Sequence, residues 1–130
     1  MKPAQRYLLK KDERLKSTKA IDNLFTKGKN FSIFPFRVLW IPGNKFTLQT
    51  AFGVSSRNFK KAVDRNRVKR LMREAYRLQK HELVAVLEEK ERTLSLFVLY
   101  QGNELPRYDL VYERFGSIIK RLIKLINENT

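Results

Sequence analysis

The chain has 130 residues, 42% of them hydrophobic, and its 28 Lys and Arg against 13 Asp and Glu give a formal net charge of +15. That length suits one compact domain and is too short for two, and the hydrophobic residues fall in periodic blocks with no low-complexity tract, which excludes wholesale disorder. Zero cysteine and a single histidine, His81, exclude disulfides, thiolate metal sites and multi-histidine zinc sites. No run reaches the roughly 18 apolar residues of a membrane span and the N-terminus lacks a secretory signal core, so a cytoplasmic protein is expected.

Residues 1–16 are polar and basic, with Tyr7, Leu8, Leu9 and Leu15 as apolar anchors, and read as an arm laid against a domain spanning 17–130. Ser17 or Thr18 can cap a first helix that carries Ile21, Leu24 and Phe25 at helical spacing and ends at Gly28. Phe36 to Ile41 and Phe46 to Ser55 are rich in β-branched and aromatic residues, and Pro42-Gly43-Asn44 between them is a turn signal, so a β-hairpin is expected. In its first strand Phe36, Val38 and Trp40 share one face and Arg37, Leu39 and Ile41 the other, which predicts at least partial cover on both. A long helix follows from about Arg65, capped by Asp64, with a break near Lys80 or His81 and an end near Arg92. Leu96 to Tyr100 is a continuous apolar run that suits an interior strand pairing near the hairpin. After a loop from Gly102 to Pro106, Val111, Phe115, Ile118, Ile119, Leu122, Ile123 and Ile126 mark a C-terminal helix with a broad apolar face. The order αββαβα predicts a two-layer α/β (α+β) sandwich around one small sheet, and the pattern leaves strand order and the hand of the crossover open.

The positive charge is concentrated between Arg57 and Lys80, where Arg57, Lys60, Lys61, Arg65, Arg67, Lys69, Arg70, Arg73, Arg77 and Lys80 are opposed by Asp64 and Glu74. Wound as a helix, the segment places Val68, Leu71, Met72, Ala75 and Leu78 on one side. Asn66, Lys69, Arg70, Arg73, Arg77 and Lys80 fall opposite, with Arg65 and Arg67 at the borders. Such a strip of guanidinium, ammonium and amide groups matches a phosphate track, because the planar arginine fork grips phosphate oxygens with two parallel hydrogen bonds.

An ordinary solvated helix face would interleave acids at i to i+4 spacing, and this one nearly excludes them. Anionic lipid would need a large exposed apolar face, which the core claims here, so nucleic acid is the expected polyanion and no membrane partner is expected. A nuclease acting alone would require positioned carboxylates with a metal, or a histidine acid–base pair. His81 alone cannot form that pair, and charge placement at a helix N-terminus accounts for Asp109 and Glu113. No catalytic or metal-ligating residue is expected.

Phe52-Gly53-Val54-Ser55, followed by Ala62-Val63-Asp64-Arg65-Asn66-Arg67-Val68-Lys69-Arg70-Leu71-Met72-Arg73-Glu74, resembles the signature of the bacterial ribonuclease P protein family, with Arg-Asn-Arg-x-x-Arg as its specific core. The resemblance extends from about Arg14-Leu15 to the final helix. It implies an αββαβα sandwich with a left-handed βαβ crossover and membership of an endoribonuclease holoenzyme that removes 5′ leaders from precursor tRNA. It further implies that the RNA subunit, holding the Mg2+ ions, performs hydrolysis, and that the protein needs no cofactor of its own. The implied partners are that catalytic RNA and the leader of precursor tRNA, with no obligate protein partner evident.

By the same resemblance Arg65, Asn66, Arg67, Lys69, Arg70 and Arg73 face the RNA subunit, and Arg57 and Lys61 join them as RNA-binding candidates. The family threads the leader between the first helix and the sheet, past aromatic residues one turn apart on the helix and another on the first strand. Phe25 keeps one of these positions, Ile21 and Leu39 take the other two, and Phe36 or Trp40 is the candidate compensating ring. Phe59 stands near where the family commonly has a glycine between two lysines. The competing reading is a ribosomal or other structured-RNA-binding protein with no role in cleavage.

Overall fold

The structure, a computed structural model, describes residues 14–15, 18–43 and 47–128. Eight elements follow one another: helix α1 (Thr18–Lys27), strands β1 (Lys29–Ile33), β2 (Phe36–Pro42) and β3 (Leu48–Val54), helices α2 (Ala62–Gln79) and α3 (His81–Glu89), strand β4 (Leu94–Tyr100) and helix α4 (Tyr108–Glu128). The expected order of helices and strands holds, with the long helix divided into α2 and α3 at Lys80 and one short strand, β1, added. Of the arm read at residues 1–16, Arg14 and Leu15 are described. Tyr7, Leu8, Leu9, Ser17, Asn44 and Phe46 lie outside the described residues.

The sheet order is β1-β2-β4-β3, with β4 antiparallel to β2 and parallel to β3. The hairpin expected of β2 and β3 therefore does not form, because β4 lies between them. The composition of β4 explains its place: Leu94, Leu96, Val98 and Tyr100 are all buried on one face, and Ser95 and Phe97 meet packed neighbours on the other. A strand covered on both faces belongs inside a sheet. Gly43 has the positive φ of a turn glycine, 94°, and residues 44–46 lie outside the described residues. Yet the Gly43 N–H donates to Thr93 O at 3.0 Å and the Leu94 N–H to Thr47 O at 2.9 Å, so both flanking strands close onto β4. The hairpin that does form joins β1 to β2, with Phe31 opposite Val38.

Helices α2, α3 and α4 cover one sheet face over the main core, and α1 lies on the other over a smaller one. The alternation along β2 sorts as the sequence predicts, Phe36, Val38 and Trp40 into the main core and Leu39 with Ile41 toward α1. The Phe36 ring packs 5.3 Å from Phe115 and 5.4 Å from Tyr100, centroid to centroid. The buried Thr50 hydroxyl is matched as well, donating to the Tyr76 hydroxyl at 2.7 Å.

On α2 the buried row is Val68, Met72, Ala75 and Tyr76, and Leu78 is 37% exposed instead of buried as expected. At 3.6 residues per turn Ala75 lies about 20° to one side of Val68 and Met72 and Tyr76 about 40° and 80° to the other, so Leu78, about 80° to the Ala75 side, falls about 60° outside the row. The helix starts earlier than expected, at Ala62, with Lys61 in the capping position and no side-chain cap, so Asp64 sits inside the first turn. There its charge still complements the helix N-terminus. Lys80 at the break is 3% exposed, which removes it from the basic face.

Helix α1 ends at Gly28, whose N–H donates to Leu24 O at 3.0 Å. A Cβ at Gly28 would stand 2.5 Å from that oxygen and 3.2 Å from Trp40 O, so chain closure onto β1 requires the missing side chain. Gly28→Ala is expected to destabilise by about 1–3 kcal/mol, as overpacking does. In thermal unfolding this appears as a Tm lower by several degrees. An unchanged Tm would mean that the junction relaxes without strain.

Candidate nucleic-acid interface

The buried row of α2 fixes what the helix presents to solvent. Asn66, Arg67, Arg70 and Arg73 are exposed, and Lys69 is half-buried beside them. Arg57 and Lys61, exposed in the preceding turn, extend the same cationic surface toward the helix N-terminus. Two members of the expected strip leave it. Lys80 is interior, and Arg77 forms a two-point ion pair with Glu74 one turn back, Nε to Oε1 at 2.9 Å and Nη2 to Oε2 at 2.7 Å. The described strip therefore ends near Arg73.

Arg65 is placed differently from its neighbours. Its Nη1 donates to the carbonyl oxygens of Phe59 at 2.8 Å and Lys60 at 2.9 Å, so this side chain clamps the turn that launches α2. The turn is anchored from below by Phe59, buried with its ring centroid 6.1 Å from that of Tyr100. It is held from the side by Asn58, whose Nδ2 donates to Gln101 O and Gly102 O at 3.2 Å each. A bulky residue near the position where the resemblance leads one to look for glycine thus acts as a plug.

On the opposite sheet face α1 and β4 form a cleft wall. Phe25 is 50% exposed and meets Phe97 edge to face at 5.2 Å between centroids. Ile21 is half-buried beside it, whereas Leu39 is 2% exposed beneath α1 and serves as support. Phe36 is a correction: strand alternation sends its ring to the other side of the sheet, fully buried in the main core, so it cannot line this cleft. Trp40 lies on that same far side.

Phe97 is the cleft residue that the one-dimensional pattern hides. It lies opposite Leu39 on one side and Ala51 on the other, positions that follow only once β4 is known to be central. Its ring occupies space that Gly53 leaves open, since a Cβ on Gly53 would fall 2.6 Å from Phe97 Cζ. Beside this ring a cavity of about 350 Å³ is lined by Arg14, Ile21, Ala51 and Phe97 together with Lys69 and Arg73 of α2. The basic helix and the apolar cleft consequently share a border at the β3 edge. Cations track phosphates and exposed rings receive bases, and the two kinds of group side by side suit a single-stranded nucleic acid.

The acids considered for catalysis are otherwise engaged: Asp109 lies 3.4 Å from Arg107, and Glu113 accepts from Arg114 Nη1 at 2.6 Å. His81 is exposed at the start of α3. Among the described residues no three His, Asp or Glu side chains gather as a metal site would require. No described helix is long and apolar enough to cross a membrane.

Residues 9–123 match the family described as Ribonuclease P. Over 120 residues the chain is 39% identical to the ribonuclease P protein component of Porphyromonas gingivalis, covering 90% of this chain and 85% of that relative. With the ribonuclease P protein component of Chlorobium phaeobacteroides the identity is 31% over 127 residues, covering 88% and 87%. Among solved structures it is similar to the RNase P protein from Thermotoga maritima, with a TM-score of 0.67 at 24% identity over 84% of this chain and 96% of that one. The RNase P protein of Staphylococcus aureus gives a TM-score of 0.68 at 18% identity over 83% and 93%. At those identities the structural likeness speaks for the fold.

Proposed function

The chain belongs to the bacterial ribonuclease P protein family, and on that premise we propose how it works as the protein component of this tRNA-processing endoribonuclease. The exposed face of α2, with Asn66, Arg67, Lys69, Arg70 and Arg73, binds the catalytic RNA, with Arg57 and Lys61 extending the contact. Arg65 contributes mainly by holding the turn that aims the helix. The 5′ leader of precursor tRNA passes along the cleft walled by Ile21, Phe25 and Phe97. The observation that carries this reading is the shared border of cationic strip and aromatic cleft, with Lys69 and Arg73 lining the same cavity as Ile21 and Phe97.

Hydrolysis in this reading belongs to the RNA subunit and the Mg2+ ions it holds, and the chain supplies position and charge. Cations on α2 take over part of the neutralisation of closely spaced phosphates, which otherwise falls to counterions. The assembled enzyme should therefore work at lower magnesium than the RNA alone. We place it in the cytoplasm. The ribosomal alternative gains nothing from the relatives, which are ribonuclease P proteins.

The test is cleavage of a 5′-extended precursor tRNA by a bacterial catalytic RNA at low magnesium, with and without the protein. Stimulation is expected, and tight RNA binding without stimulation would overturn the reading. For the cleft, Phe25→Ala and Phe97→Ala should each weaken precursor binding by about 1–3 kcal/mol, the usual effect of losing a stacking ring. The loss should appear only with substrates that carry a leader. An equal loss on leaderless tRNA would take the two rings out of the leader path.

A further inference from the structure

The sheet edge farthest from β3 and its basic cavity repeats a cation-on-ring arrangement. On β1, Lys29 and Phe31 alternate onto the face that packs against α4. The Lys29 ammonium lies 5.5 Å from the centre of the Trp40 ring, and the Arg121 guanidinium of α4 lies 4.9 Å from the centre of Phe31. Both distances fall within reach of the ring quadrupole, so each aromatic holds a cation at a fixed place on this edge. The two cation–ring pairs begin two positions apart on one strand, about 7 Å.

Next to the first pair is a recess of about 240 Å³ with apolar walls from Trp40, Pro42, Leu87, Leu94 and Ile126 and two cations, Lys29 and Arg92. No carboxylate is among the described residues that line it, although Glu88, Glu89 and Glu91 stand nearby in the chain. The α4 surface continues the positive field through exposed Lys120 and Lys124, with no acid between Glu113 and Glu128. In the order β1-β2-β4-β3, this edge is three strand spacings from β3, about 14 Å. It is thus separate from the α2 strip.

We propose that the β1/α4 edge is a second RNA-contact surface that takes an unpaired nucleotide. Its base enters the recess beside Trp40, its phosphate lies on Lys29 and Arg92, and the strand continues across Arg121. Charge complementarity selects a polyanion, and the apolar walls select a flat ring. The second cation–ring pair beyond the recess favours a strand over a free nucleotide. The inference rests on the reading of the chain as an RNA-binding subunit and adds a contact to it.

Trp40 is the sole tryptophan, so its fluorescence reports on this recess. Titration of the full chain with hexaadenylate RNA at low salt is expected to quench Trp40 saturably. Lys29→Glu and Arg121→Glu, both at exposed positions, should each weaken that binding about tenfold, the scale of one lost charged contact. Circular dichroism checks that both variants fold. Absence of saturable quenching, quenching indifferent to both substitutions, or equal quenching by adenosine monophosphate would each overturn the proposal. Precursor cleavage measured on the same preparation separates the two readings. Stimulation without quenching removes this edge and leaves the family function, and quenching without stimulation does the opposite.

Discussion

Phe36→Ala should lower folding stability by about 3–5 kcal/mol, the range for deleting a buried phenylalanine ring. The ring sits fully buried between Phe115 and Tyr100, where three elements meet: β2, β4 and α4. Alanine leaves a cavity there that a rigid sheet cannot close, and a marginally stable protein of this size has few kilocalories to lose. Denaturant unfolding gives the stability directly, and leader affinity measured well below the unfolding transition gives the functional side. The fraction of the variant that remains folded should bind a leader-bearing precursor as the parent does. A variant of parental stability that had lost leader binding would return Phe36 to the cleft and contradict the strand alternation.

The second large effect is expected on α2. Arg67→Glu together with Arg70→Glu should reduce affinity for the catalytic RNA on the order of a hundredfold, because two charge-assisted contacts worth about 1.5 kcal/mol each are replaced by repulsion. The salt dependence is the sharper readout. Each phosphate contact removed lowers the magnitude of the slope of log affinity against log salt by about 0.7–0.9. A double variant that lost affinity with an unchanged slope would have failed by misfolding or by loss of non-ionic contacts. Arg65 is a poor choice for this test, since its Nη1 also holds the Phe59 and Lys60 carbonyls and its removal would loosen the turn.

The proposed RNA-binding helix is legible in sequence because charge and hydrophobic period coincide there: Val68, Met72 and Ala75 fix the inward side, and Arg67, Arg70 and Arg73 stand exposed on the other. The limits of the strip are not legible. Arg77 is lost to Glu74 one turn back on the same helix, and Lys80 to the interior at the α2–α3 break. Sheet order is the larger omission. Periodicity reports which face of a strand is covered, and it sorted β2 correctly, but it carries no information on lateral neighbours. A turn signal at Pro42-Gly43 therefore looks like a hairpin until Thr93 and Leu94 are seen to bond Gly43 and Thr47. Phe97 goes unnoticed for the same reason. The alternation of Phe31 and Ile33 just before Pro35 was the available sign of β1, in a stretch too short and polar to stand out.

The central place of β4 also sets a schedule for the chain as it is made. Strands β2 and β3 have no partner in each other, and the strand that joins them emerges only after α2 and α3, at residues 94–100. A nascent chain that ends before Leu94 contains every cation of the α2 strip yet lacks the middle of the sheet against which α2 is oriented. Non-local pairing of this kind comes late in folding. RNA would first meet the basic segment as a flexible polycation and the finished surface only when β4 is in place. On the proposed function, productive assembly with the catalytic RNA would wait until β4 has been made.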